Sequence, residues 1–162
     1  MNEQSNSVAQ LVIDVLHRFD VRYLIGGSIA STLHGIPRAT IDVDLLADLQ
    51  KSHLQDFCGS LESAFYVSMQ AAENAVKYRS SFNLIHFDTS FKIDVFVPKG
   101  RVFDENQFRN RALHVFTRDP EKKAYVASPE DSILSKLEWY RQGAYCGAKW
   151  ATKSEQSGRQ NR

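Results

Sequence analysis

The chain has 162 residues, 43% of them apolar and 24% charged, with a formal net charge of +1 at pH 7. That length suits one domain with a sizeable core. The near-zero charge excludes a global field drawing the protein onto nucleic acid or anionic lipid, although a local basic patch would still suffice. The two cysteines, Cys58 and Cys146, have no metal-ligand spacing and fit a reducing compartment. The polar start MNEQSNSVAQ has no secretory shape, and no apolar run approaches the roughly 20 residues of a membrane span. A cytoplasmic protein with no membrane partner is expected.

Val8, Leu11, Val12, Val15, Leu16 and Phe19 recur at helical spacing and predict an amphipathic helix over residues 6–19. Arg22 to Ile25 reads as a short strand stopping at Gly26-Gly27, and Ser28 caps a short helix that ends at Gly35. IPRAT is a loop, and residues 41–47 form the next strand. Leu54, Phe57, Leu61 and Phe65 mark a helix over about 51–64, followed by a short strand near Tyr66–Val67 and a helical piece over about 70–77. FNLIHF (82–87) and FKIDVFVP (91–98) flank Asp88-Thr89-Ser90 and read as an antiparallel hairpin, closed by Pro98. A helix near 104–111 and short strands at 113–117 and 123–127 come next.

SPEDSILSKLEWYRQG then gives its helix signals in order. Ser128 is the cap, Pro129 the first position, Glu130 and Asp131 the first turn, and Gly143 the end. Its apolar face is Ile133, Leu134, Leu137 and Tyr140. After Leu137 there is no Leu, Ile, Val, Met or Phe, and Trp150 is the one large apolar anchor. Residues 1–141 are expected to form one α+β domain of mixed helix and strand around a single sheet, and 142–162 a flexible or atypical tail.

Charges inside apolar strands carry the chemistry. Side chains alternate faces along a strand, so Asp42 and Asp44 point one way while Ile41, Val43 and Leu45 point the other. Carboxylates about 7 Å apart on one strand repel unless a cation lies between them. Asp94 interrupts FKIDVFVP in the same manner. If that strand lies beside 41–47, three carboxylates converge on one edge of the sheet. Such a set suits Mg²⁺, which keeps waters and takes further ligands from substrate phosphates, or a two-ion clamp. At Gly26-Gly27-Ser28 the backbone and free helix N–H groups suit an anion, and the Ser28 hydroxyl adds a donor. Alone, a strand aspartate is ordinarily a solvated residue and a Gly-Gly turn only a turn; their order and strand context together favour a site.

In that order the residues resemble the nucleotidyltransferase superfamily of DNA polymerase beta-like fold: Gly27-Ser28 on a strand-to-helix turn, Asp42-Val43-Asp44 on the next strand, and Asp94 on a later one. Lys92-Ile93-Asp94, and Lys136 in a helix opening Pro-Glu-Asp, are more narrowly similar to the minimal bacterial nucleotidyltransferases of AbiEii toxin type and their relatives of unknown function. The resemblance covers roughly residues 20–141. It implies a mixed sheet flanked by helices, with two Mg²⁺ ions held by Asp42, Asp44 and Asp94, the last also helping to activate an acceptor hydroxyl. It further implies that Gly26, Gly27 and Ser28 hold an NTP's triphosphate while Lys92 or Lys136 neutralises it. The reaction implied is transfer of a nucleoside monophosphate to a hydroxyl of an RNA such as tRNA, a protein or a small molecule, releasing pyrophosphate.

Those relatives continue past the lysine helix with another helical segment carrying an aspartate, whereas AYCGAKWATKSEQSGRQNR has none. A shortened or altered C-terminus is therefore the expectation. It motivates an alternative on the same fold: a catalytically silent nucleotide-binding module or a toxin–antitoxin partner.

Arg38 and Thr40, just before the acid strand, are candidate phosphate contacts or loop caps. Arg79, Ser80 and Ser81 read as an ordinary loop more than as a cleft wall, and His34 and His86 as structural or surface residues. The basic groups Lys149, Lys153, Arg159 and Arg162 read as a solvated end. A glycosyltransferase metal site would want a longer chain, and DVDLLAD lacks the third oxygen ligand and glycine of an EF-hand.

Overall fold

In the computed structural model, which describes residues 3–26, 42–138 and 140–141, the first helix is built as its periodicity predicts. Helix α1 (Glu3–Arg18) turns Val8, Val12, Ile13, Val15 and Leu16 into the core and leaves Leu11 exposed. It begins three residues earlier than predicted, because polar residues continue a helix as readily as apolar ones once the first turn exists. Two polar contacts tie it to the far edge of the sheet. Asn6 Nδ2 donates to the Phe116 carbonyl at 2.7 Å, and Lys122 Nζ lies 2.6 Å from Asp14 Oδ2.

Among the described residues, seven strands make one mixed sheet: β1 (Tyr23–Gly26), β2 (Asp42–Ala47), β3 (Phe65–Val67), β4 (Ser81–His86), β5 (Lys92–Phe96), β6 (Ala112–Arg118) and β7 (Glu121–Val126). Their spatial order is β3-β4-β5-β2-β1-β7-β6. Strands β2 and β5 run parallel, as do β1 and β7, and the remaining neighbours are antiparallel. The fold is α+β. The predicted hairpin is β4–β5, turned at 88–90, where Ser90 takes φ 55° and donates its N–H to the His86 carbonyl.

Alternation gives the sheet two unlike faces. Ile25, Val43, Leu45, Phe82, Leu84, Ile93, Val95 and Val126 point into the main core. Helix α1, Leu54, Phe57, Cys58 and Leu61 of α2 (Leu54–Leu61), and Ala72 and Ala75 of α3 (Met69–Tyr78) belong to the same core. Residues in register on the other face, Asp42, Asp44, Leu46, Lys92, Asp94, Phe96, Asn83 and Ile85, are partly or largely exposed.

The helix expected over 51–64 divides. A 3-10 turn, Lys51–His53, precedes α2, which ends at Leu61, and a turn over 62–64 leads into β3 at Phe65. Beyond β5, α4 (Val102–Asn110) leads into the β6–β7 hairpin. The last described helix, α5, covers residues 129–138 and 140–141. Ser128 caps it as predicted, its Oγ accepting the Asp131 N–H at 3.1 Å.

Helix α5 reverses the expected packing. Its apolar face (Ile133, Leu134, Leu137 and Tyr140) is exposed, whereas Asp131 and Ser132 are buried. The reason lies in its neighbour, because α4 offers polar side chains. Gln107 Nε2 donates to Ser135 Oγ at 2.8 Å, Asn110 Nδ2 to Asp131 Oδ2 at 3.2 Å, and Arg101 pairs with Glu138. No described helix is long and apolar enough to cross a membrane.

Candidate functional site

The acids meet through strand register. Asp44 on β2 lies opposite Asp94 on β5 in a parallel pair, so the two carboxylates leave one face of strands about 4.8 Å apart. Gly26 on β1 pairs with Asp44 from one side, and Asn83 on β4 pairs with Asp94 from the other. A single row therefore reads Gly26, Asp44, Asp94, Asn83 across four strands. One row along, Asp42 lies opposite Lys92. Of the three carboxylates expected to converge at an edge of the sheet, register brings Asp44 and Asp94 together on the interior strands β2 and β5, with β1 and β4 as flanks, while Asp42 faces Lys92.

Electrostatics mark the row as short of positive charge. Burial pushes the Asp44 carboxyl above its usual range, and the neighbouring Asp94 and Asp42 carboxylates push it further. Lys92 opposes this. Its Nζ donates to Asp94 Oδ2 at 2.9 Å, and that hydrogen bond raises the lysine's own pKa. The ammonium thus occupies one oxygen that a divalent ion would take.

Among the described residues, no group of three or more His, Cys, Asp or Glu side chains is arranged to hold a metal ion. The donor chemistry at Asp44 and Asp94 is nonetheless that of a hard cation: paired carboxylate oxygens on a half-buried face, their repulsion offset only in part by Lys92. A divalent ion there fits once Lys92 gives up Asp94 Oδ2, with Asp42 exposed at the rim and its remaining ligands from water or phosphate.

A cavity of about 810 Å³ opens beside the row. Its wall includes Gly26, Asp44, Asp94 and Lys136, so two of the candidate acids, one candidate turn residue and the α5 lysine share one space. Asp42 and Lys92 are not part of the wall. Gly27, Ser28, Arg38 and Thr40 lie outside the described residues, and with them the helix expected to end at Gly35 and the tail from 142.

Arg79, Ser80 and Ser81 line the cavity where an ordinary loop was expected, and Lys99 and Arg101 join them. Arg79 closes α3 in the left-handed conformation at φ 52°, and its guanidinium donates to the Pro98 carbonyl at 3.4 Å. Among the described residues, no carboxylate forms an ion pair with the side chain of Arg79 or Lys99. Arg101 is committed: it pairs with buried Asp104 at 2.9 Å and with Glu138, which fixes α5 against α4. Lys99 directly follows Pro98 in the sequence, but nothing in that spacing places it at the cavity.

Two solved structures resemble this chain. One is TM1012 of Thermotoga maritima, a protein assigned as a nucleotidyltransferase, with a TM-score of 0.57 and 15% identity over 91% of this chain and 92% of that one. The other is the lincosamide antibiotic adenylyltransferase LnuA with lincomycin bound, with a TM-score of 0.53 and 19% identity over 83% of this chain and 85% of that one. No protein-family model and no curated protein matches the chain. The likeness shows that this chain shares the fold of these two proteins.

Proposed function

We propose that this chain, built on a nucleotidyltransferase fold, transfers a nucleoside monophosphate from an NTP to a hydroxyl and releases pyrophosphate. The observation that carries the reading is the row Gly26, Asp44, Asp94 on the open face of the sheet, facing a cavity large enough for a nucleotide. A divalent ion, most simply Mg²⁺, would be held by Asp44 and Asp94 with Asp42 at the rim; when bound it supplies charge neutralisation at the transferring phosphoryl group. A two-ion arrangement uses the same three carboxylates.

The chain's own residues do the rest by positioning. Gly26 begins the turn expected to hold the triphosphate with Gly27 and Ser28. Lys136, Arg79 and Lys99 line the cavity and would balance the phosphate charge. Arg38 and Thr40 are further phosphate candidates from the loop before β2. A bond forms between the acceptor oxygen and the α-phosphorus, and the bond from that phosphorus to the bridging oxygen breaks. Pyrophosphate carries away the electron pair, and the acceptor's proton passes to the Asp94 carboxylate or to water. The acceptor class remains RNA, protein or small molecule, and the compartment proposed is the cytoplasm.

A second reading has one observation in its favour: the Lys92 ammonium already sits on Asp94. A silent nucleotide-binding module, or a toxin held by an antitoxin partner, would tolerate a permanent lysine there. The test is the same for both. Each labelled NTP is incubated with the protein, Mg²⁺ and a cell extract, alongside calorimetry of nucleotide binding. Label on an acceptor, lost in Asp44→Asn and Asp94→Asn proteins, supports the transferase; nucleotide binding without any transfer supports the silent module; no nucleotide binding ends both.

A further inference from the structure

Helix α5 turns its polar side inward. An amphipathic helix on a globular surface ordinarily buries its apolar stripe. Here Asp131 and Ser132 are buried, whereas Ile133 is 59%, Leu134 50%, Leu137 58% and Tyr140 77% exposed. None of the described residues of α5 joins the apolar core. The helix is held to the body by polar contacts instead: Gln107 with Ser135, Asn110 with Asp131, and Arg101 with Glu138.

The exposed stripe has charged ends. At 3.6 residues per turn, Glu130, Ile133, Leu134, Leu137, Tyr140 and Arg141 share about one third of the helix circumference. Glu130 and Arg141 are both exposed, and among the described residues neither forms an ion pair. From its N-terminal to its C-terminal end the stripe therefore reads acid, four apolar side chains, base. Such an order is complementary to the same stripe run in the opposite direction.

We infer that this stripe is the contact between two copies of the chain, their α5 helices packed antiparallel about a two-fold axis at the level of Lys136. That pairing sets Leu134 beside Leu137 of the second copy, Ile133 beside its Tyr140, and Glu130 beside its Arg141, and two-fold symmetry repeats each contact. A parallel pairing would set like charge against like at both ends. The antiparallel one also opposes the two helix dipoles. The inference goes beyond the transferase reading and does not depend on it.

The size of the stripe sets the strength of the pair. Its four apolar side chains expose on the order of 500 Å² per copy, near the top of what a soluble monomer leaves open. Two copies would bury roughly 1,000 Å² together, which places the contact among weak interfaces whose partners exchange. A dimer that assembles and dissociates with concentration is the form expected.

Sedimentation equilibrium of the full chain from about 1 μM to about 200 μM should show the apparent mass climbing from one copy to two. Leu134→Ser with Leu137→Ser should raise the dissociation constant at least about tenfold, yet melt like wild type at about 1 μM, where both are monomeric. Exchange of charge tests the antiparallel register separately from the apolar contacts. Glu130→Arg alone and Arg141→Glu alone should each weaken the dimer about tenfold at low salt, and the two together should restore it to within about threefold of wild type. If the leucine variant fails to fold by circular dichroism, the charge exchange alone decides. Wild type that stays monomeric over the whole range overturns the inference, whatever else it binds. So does a mass beyond two copies, a dimer unaffected in a folded leucine variant, or a double exchange no tighter than its single parents.

Discussion

Strands β2 and β5 present two faces drawn from the same eleven residues of sequence, and the contrast between them separates folding from chemistry. Val43, Leu45, Ile93 and Val95 are fully buried under the helices, while Asp42, Asp44, Lys92 and Asp94 alternate with them on the open side. The apolar face is redundant and well packed. The acidic face is under electrostatic strain, with Asp44 raised by burial and by two like charges. One face can therefore be changed at a cost in stability, and the other at a cost in function with a gain in stability.

The largest effect expected is on the open face. Asp44→Asn and Asp94→Asn should each lower label transfer at least about a thousandfold, the scale of losing a charge-positioning group, with the fold retained by circular dichroism. Next comes the buried face. Ile93→Ala should destabilise by about 2–5 kcal/mol in urea melts, because it leaves a cavity between the sheet and the helices. Should this variant melt like wild type, the two faces would not differ as described.

Smaller changes test the cavity wall. Arg79→Ala or Lys99→Ala should weaken NTP binding about tenfold, the equivalent of roughly 1.4 kcal/mol, without altering the melting temperature. Titration supplies a subtler contrast. The folded-state pKa of Asp44 is raised, so the carboxyl favours the folded state while protonated; that stability is full below the unfolded pKa and is lost as pH rises through the folded value. Asp44→Asn protein without metal should therefore melt higher than wild type at pH 7, with the gap closing below pH of about 4. A gap that is constant with pH would locate the effect elsewhere. The smallest change belongs to α5: Leu137→Ser, on its exposed stripe, should shift stability by no more than about 0.5 kcal/mol.

How much of this was legible in the sequence follows from which forces are local. Alternation in IDVDLLA and FKIDVFV set both strands and the faces of their acids before any pairing was known, and register then did only what parity had prepared. Neither the middle placement of those strands nor the cavity wall had such a signal. Arg79 and Lys99 reach the cavity because α3 and β5 end near one another, a product of topology that no spacing encodes. Helix α5 shows the limit of periodicity most clearly. Its pattern located the helix, but the face it buries is set by Arg101, just before α4, and by Gln107 and Asn110 on it, more than twenty residues away in sequence. The turn residues Gly27 and Ser28, with Arg38 and Thr40, lie outside the described residues, so that half of the site rests on its sequence pattern.

Metal-dependent transfer measured on matched proteins bears most directly on the central claim. Wild type, Asp44→Asn and Asp94→Asn proteins would each be given α-labelled NTPs and a cell extract, with Mg²⁺ or with chelator. A labelled acceptor is expected only for wild type with Mg²⁺. Equal labelling by the variants, or labelling that survives chelation, would contradict it.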